Sequence, residues 1–220
     1  MNGTETKDNN GATEKYLKIA VILAVITVFY NIIEGLVSVY FGYKDETLSL
    51  FGFGIDSFVE VISGIGIWHL THRIKKQGTE KMDKFEITAL KVTGFSFYLL
   101  SAGLVISAAI NFFYGSKPEA TIPGIIISLI SIAAMWLLIE YKLKTGKALN
   151  SEAIIADANC TRTCMYLSII LLIASAGYQL TGLGFLDSIG ALGIAYFSFK
   201  EGKESLEKAE SKNIACSCGH

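Results

Sequence analysis

Two pairs of side chains in this sequence carry metal-binding chemistry at helical spacing. Asp56 and Glu60 stand four residues apart, and so do Cys160 and Cys164. On a helix that spacing puts both members of a pair on one face, about 6 Å apart along the axis. Each helix then offers two ligands. Two carboxylates and two thiols suit a divalent d10 cation, with sulfur favouring softer metals. Zinc or cadmium is the plain reading. The structural alternative is that the acidic pair forms a polar seam on a water-filled cavity and that the cysteines are small apolar filler, since free Cys is often buried.

The elements that must position these residues are membrane helices. The chain has 220 residues, 51% hydrophobic and 18% charged, with only 2 Pro, and a mean hydropathy of +0.46. An average soluble domain carries about 25% charge. Disorder, nucleic-acid binding and a disulfide-stapled secreted fold are excluded on these figures. Charges are nearly absent from long stretches: only Glu34 lies between Lys18 and Lys44, and only Asp56 and Glu60 lie between Glu46 and Arg73. None lies between Lys91 and Lys117, nor between Glu119 and Glu140. These intervals predict four spans, the third and fourth joined by Ser116 to Pro123. The next uncharged run is split by Thr181-Gly182-Leu183-Gly184. A fifth span ending near Tyr178 must start near Asn150 to cross at about 20 residues, which draws Asp157, Cys160 and Arg162 into the membrane. A sixth runs from Leu183 to Phe199.

The expected fold is therefore an all-α, multi-pass integral membrane protein with six transmembrane helices in the plasma or cytoplasmic membrane. Residues 1–15 are a disordered polar N-terminus, 16–200 the six-helix domain and 201–220 a short cytoplasmic tail. With both termini in the cytoplasm, 16 of the 19 basic residues fall on the inner side and only Lys44 and Lys117 on the outer. The polar start has no apolar signal-peptide core. No structural disulfide is expected.

Charge at the bilayer centre costs about 2.5 to 3.5 kcal/mol even on forgiving scales, so intramembrane carboxylates are functional candidates. The second span runs inward from Thr47, placing Asp56 about 13 Å and Glu60 about 20 Å below the outer surface. The fifth runs outward from Ser151, placing Cys160 about 13 Å and Cys164 about 20 Å above the inner one. Antiparallel packing then levels Asp56 with Cys164 and Glu60 with Cys160, so that four side chains can close one tetrahedral site. Asn31, Glu34 and Ser38 form a polar stripe on the first span, lining a hydrated path or bonding a neighbouring helix. Asp157 shares the face of Cys160 nearer the cytoplasm and is a candidate to receive or steady the ion. His69 reads as an interface residue, and Asp187, near the outer end of the sixth span, has no single role assigned by the sequence. The terminal Cys216, Cys218 and His220 are a candidate flexible metal-binding tail, with a frayed end as the alternative.

With these residues in view, the chain resembles the cation diffusion facilitator family of six-helix divalent-metal exporters, from about Tyr16 to Leu206. Ser49, Leu50, Ile55, Asp56, Ser57 and Glu60 are similar to its second-helix motif. Ala156, Asp157, Cys160 and Cys164 are similar to its fifth-helix motif. Asp187, Glu201, Gly202, Glu204 and Ser205 are similar to its sixth helix and exit. The resemblance implies a metal site at Asp56, Glu60, Cys160 and Cys164, alternating access, proton antiport and a homodimer. Glu60 stands where zinc exporters usually carry Asp, Cys160 at a His position and Cys164 at an Asp position, which brings cadmium, mercury, lead and Cu(I) into range. The family's usual cytoplasmic domain after the sixth helix has no counterpart in the residues after Lys200, so the expectation is a variant without it, dimerising through membrane helices. A His-rich loop before the fifth helix is likewise missing from Lys142 to Asn150.

The expected function is export of a divalent heavy-metal cation from the cytoplasm by proton antiport, with the metal as substrate, no cofactor and no enzymatic activity. A charge argument supports the coupling independently. Four anionic ligands around a divalent ion leave a net charge of about −2, too costly in low dielectric once the metal leaves, so protons must replace it. Two other classes remain open. A membrane thiol oxidoreductase would use the cysteines, though such enzymes favour CxxC over CxxxC. A non-transporting metal sensor or scaffold would use the tail.

Overall fold

The computed structural model describes residues 5–45, 47–77, 84–114 and 122–211. They form six helices: α1 (Glu5–Lys44), α2 (Leu48–Gln77), α3 (Lys84–Tyr114), α4 (Ile122–Leu149), α5 (Glu152–Thr181) and α6 (Phe185–Ser211). Each expected span lies on one of them. Five, at Glu14–Lys44, Leu48–Leu70, Lys84–Phe113, Ile122–Leu149 and Asp157–Thr181, are long and apolar enough to cross a membrane by composition alone. The sixth expected span falls short of that measure. In α6 the apolar stretch is brief, flanked by Asp187 and by the charged turns after Phe199, and the helix sits among its neighbours instead of facing lipid all round.

The helices pack most extensively in the pairs α1 with α2, α3 with α6 and α4 with α5. Small residues let their backbones meet, as in membrane proteins generally. A side chain at Gly42 would lie 2.4 Å from the Phe51 amide nitrogen, so α1 and α2 touch there with nothing between them. Gly94 on α3 and Gly202 on α6 do the same: a Cβ on either would lie 2.9 to 3.0 Å from the other's carbonyl oxygen. The interior is filled by small polar side chains, Ser38, Ser131, Ser168 and Ser198 among them, alongside Leu50, Phe53, Leu167, Leu171 and Ile194. Phe29, Leu99, Phe113 and Leu180 point outward and are largely exposed, the arrangement that lipid demands.

Helix ends follow local chemistry. Gly182, at φ 68°, takes the left-handed conformation after α5, and its amide donates to the Tyr178 carbonyl at 2.7 Å. Pro123 sits in the first turn of α4, where its missing N–H costs nothing.

Three boundaries differ from expectation. α1 begins at Glu5, within the segment expected to be disordered; no proline interrupts it, and Glu14 pairs with Lys18 at 2.9 Å one turn on. α6 continues to Ser211 through the expected tail because Gly202, Ser205, Lys208 and Ala209 are buried. α4 continues to Leu149, so Lys142 to Leu149 is helix and not loop. Cys216, Cys218 and His220 lie outside the described residues.

Candidate metal site

Asp56 and Glu60 project from the middle of α2 into the bundle, and Asp56 is 2% exposed. Asp56 accepts a hydrogen bond from the Ser198 hydroxyl of α6 at 2.8 Å. One turn along, Glu60 receives two donors on its two oxygens. The Asn31 amide of α1 reaches Oε2 at 3.1 Å, and the Cys164 thiol of α5 donates to Oε1. Glu60 thus bridges α1 and α5. The side chain of Cys160 meets the Lys208 ammonium of α6 at 3.7 Å. Both Cys160 and Cys164 are free thiols.

The expected level match is corrected by about one turn. Cys164 meets Glu60, whereas counting inward from the ends of the apolar runs had paired it with Asp56. Those ends do not mark where two helices cross, so depths counted from them carry an error of about one 5.4 Å turn. Among the described residues, no three His, Cys, Asp or Glu side chains are gathered as a ready metal cluster. Glu60 and Cys164 are in contact; Asp56 and Cys160 are held by Ser198 and by Lys208.

A cavity of about 70 Å³ runs up to these residues, lined among others by Asn31, Glu60, Asp157, Cys160, Cys164 and Glu201. Leu70, Glu86 and Lys208 also line it, so it extends from Glu60 toward the region where α2 and α6 end and α3 begins. Asp56, one turn from Glu60 on the side away from Leu70, is not among the cavity's lining residues. Burial pushes the Glu201 carboxyl above the usual carboxylate range; Glu204 adds to this, while a bond from Thr163 and the charges of Lys208 and Lys200 offset part of it.

Several polar partners carry no clear signal in the sequence. Glu34, 6% exposed, accepts from Tyr30 at 2.9 Å and from Ser57 at 3.1 Å, and Ser57 stands between Asp56 and Glu60. Serines are so common in membrane helices that Ser198 does not stand out, and Ser57 does so only as part of the second-helix motif. Asp157, expected to receive or steady the ion, lines the cavity and pairs with Lys142 at 2.9 Å. Lys142, counted among the inner-surface charges, is 1% exposed and also donates to Thr161 at 2.8 Å. Asp187 accepts from the Leu48 amide at 2.8 Å, the Ser49 amide at 3.0 Å and the Ser49 hydroxyl, capping α2 from α6. His69 is an interface residue, 3.0 Å from Glu86, which also receives Arg73 at 2.9 Å.

Comparison with known proteins gives the family. A family model described as the cation efflux transmembrane domain matches residues 18–209. The chain belongs to the cation efflux family. It is a transporter family, not an enzyme family, and the chain is a multi-pass integral membrane protein. The manganese efflux system protein MneP of Bacillus subtilis is 26% identical over 189 residues, which cover 81% of this chain and 63% of that protein. An uncharacterised transporter of Methanocaldococcus jannaschii is 26% identical over 176 residues, which cover 78% of this chain and 62% of that protein. The chain thus spans under two thirds of the length of these two relatives.

Proposed function

We propose that this chain exports a divalent transition-metal ion from the cytoplasm in exchange for protons, with Asp56, Glu60, Cys160 and Cys164 as the ligands. The observation that carries the reading is the Cys164 thiol bonded to Glu60 at the inner end of the cavity. A proton there joins two groups that a cation would join in its place. Metal arriving from the cavity displaces protons from thiol and carboxyl, and the reverse exchange on the far side releases it. The excess of basic residues near the Leu70 end of the cavity supports a cytoplasmic side for that end, as export requires. A second copy of the chain docks through the lipid-facing helices.

The cargo follows from the donors. Two thiols favour zinc or cadmium over harder ions. A second reading is manganese, supported by the relative whose name carries that metal and by the carboxylates, which suit it.

Flux of Mn(II), Zn(II), Cd(II) and Co(II) into proteoliposomes, with a pH dye inside, tests all of this. Asp56→Ala and Cys160→Ser abolish flux while leaving folded protein. Wild-type flux in both variants overturns the ligand assignment, and metal flux without any pH change overturns the antiport.

A further inference from the structure

The Asn31 side chain is 2% exposed at the middle of α1. Its amide nitrogen is committed to Glu60 Oε2 at 3.1 Å, whereas its oxygen, Oδ1, is buried with no hydrogen-bond partner. A buried carbonyl oxygen without a donor is rare in folded proteins, and each case needs an explanation. Asn31 lines the same cavity as Glu60, Cys160 and Cys164. Thr27, one turn away and also on that cavity, cannot supply a donor, because its hydroxyl is given to the Leu23 carbonyl at 2.9 Å. Asn31 thus lines a cavity that also holds Glu60, Cys160 and Cys164, and its amide oxygen has no hydrogen-bond partner there.

We infer that Asn31 is a further ligand for the transported metal, its Oδ1 completing a cavity-side set with Glu60, Cys160 and Cys164. The inference rests on the metal site proposed above and adds α1 to it. Asp56 is absent from the cavity lining and is held by Ser198, so an ion moving up the cavity from its Leu70 end reaches Asn31 and Glu60 before Asp56. An amide oxygen is a hard, neutral donor. It adds affinity for oxygen-preferring ions such as Mn(II) without adding charge, and it contributes least to Cd(II), which the thiols satisfy. Asn31 thus tunes which metal the two cysteines accept.

Equilibrium binding of Mn(II), Zn(II) and Cd(II), each alone, to the purified full chain in detergent tests this. Asn31→Leu weakens Mn(II) by about tenfold or more, within the range expected for groups at a metal site, and Cd(II) by much less. Asn31→Asp, which keeps an oxygen donor, retains Mn(II) binding. Unchanged Mn(II) binding in Asn31→Leu overturns the inference. So does an equal loss for all three metals that Asn31→Asp fails to rescue, since Asn31 would then only steady Glu60. Should Asn31→Leu give no monodisperse protein, Asn31→Ser is read by the same criteria. Glu60→Gln separates this inference from the reading beneath it. If Glu60→Gln binds every metal normally, the site itself is misplaced; if it loses binding while Asn31→Leu does not, only the role of Asn31 falls.

Discussion

Lys142 of α4 and Asp157 of α5 form an ion pair at 2.9 Å inside the helix bundle, with the lysine 1% and the aspartate 14% exposed. Removing one partner of a buried pair leaves an uncompensated charge, at a cost of about 3 to 5 kcal/mol. Lys142→Met is expected to destabilise the protein toward the low end of that range, because Asp157 keeps some solvent contact. The double variant Lys142→Met/Asp157→Leu recovers most of the loss. Denaturation in detergent, compared across the two variants and wild type, checks both outcomes.

Asp56 accepts a hydrogen bond from the Ser198 hydroxyl at 2.8 Å. Ser198→Ala frees the carboxylate without altering any proposed ligand, and groups that orient a metal ligand are worth about 10- to 100-fold in affinity. We expect weaker metal binding of about tenfold with the fold intact, read by binding of the metal alone. Unchanged affinity would show that Asp56 needs no such support.

Asp187 accepts the first free amides of α2. The start of a helix leaves such donors unsatisfied, and stranding a buried donor costs about 1 to 3 kcal/mol. Asp187→Ala is expected to lower stability by that amount and to raise hydrogen exchange at Leu48 and Ser49 before it does so elsewhere.

Glu201 supplies a pH signature. Its folded carboxyl holds a proton more tightly than its usual value of 4.5, chiefly through burial. The folded state therefore binds more protons than the unfolded one, and stability falls as pH rises above that value. Glu201→Gln removes the effect. The variant should match wild type at acid pH and exceed it increasingly from pH 4.5 upward, as read by melting temperature; equal pH slopes for the two proteins would contradict it.

The two membrane thiols should differ in reactivity. Cys160 is half-buried on the cavity, whereas Cys164 is 7% exposed and engaged with Glu60. In a Cys216→Ser/Cys218→Ser background, a maleimide is expected to label Cys160 first, and Cd(II) to protect both. Labelling indifferent to metal would favour cysteines that act as packing alone.

The helices were legible because charge is so expensive in lipid that its gaps mark spans, and the acidic and thiol pairs were legible because four-residue spacing shows on its face. Register was not. Whether Cys164 meets Asp56 or Glu60 is decided where α2 and α5 cross, which depends on packing far apart in the chain. Lys142 was misread for a related reason: a lysine after an apolar run looks like a surface charge until Asp157, fifteen residues on, folds back against it. The stripe of Asn31, Glu34 and Ser38 was visible as a pattern, but only the structure shows that its members do different things, Asn31 reaching Glu60 and Glu34 reaching Ser57.

The glycine contact between α3 and α6 reaches further than packing. Gly94 and Gly202 let the two backbones come close, and Leu206 and Tyr98 pack over the bare glycines from the opposite helix, so α3 and α6 interlock there and are expected to travel as one blade. Its α6 edge carries Ser198, the partner of Asp56, and Asp187, the partner of the α2 start. A helix whose membrane stretch carries no charge thereby gains a mechanical hold on the carboxylates, and substitutions on its lipid-facing side should be felt as changes in turnover before they are felt as changes in affinity.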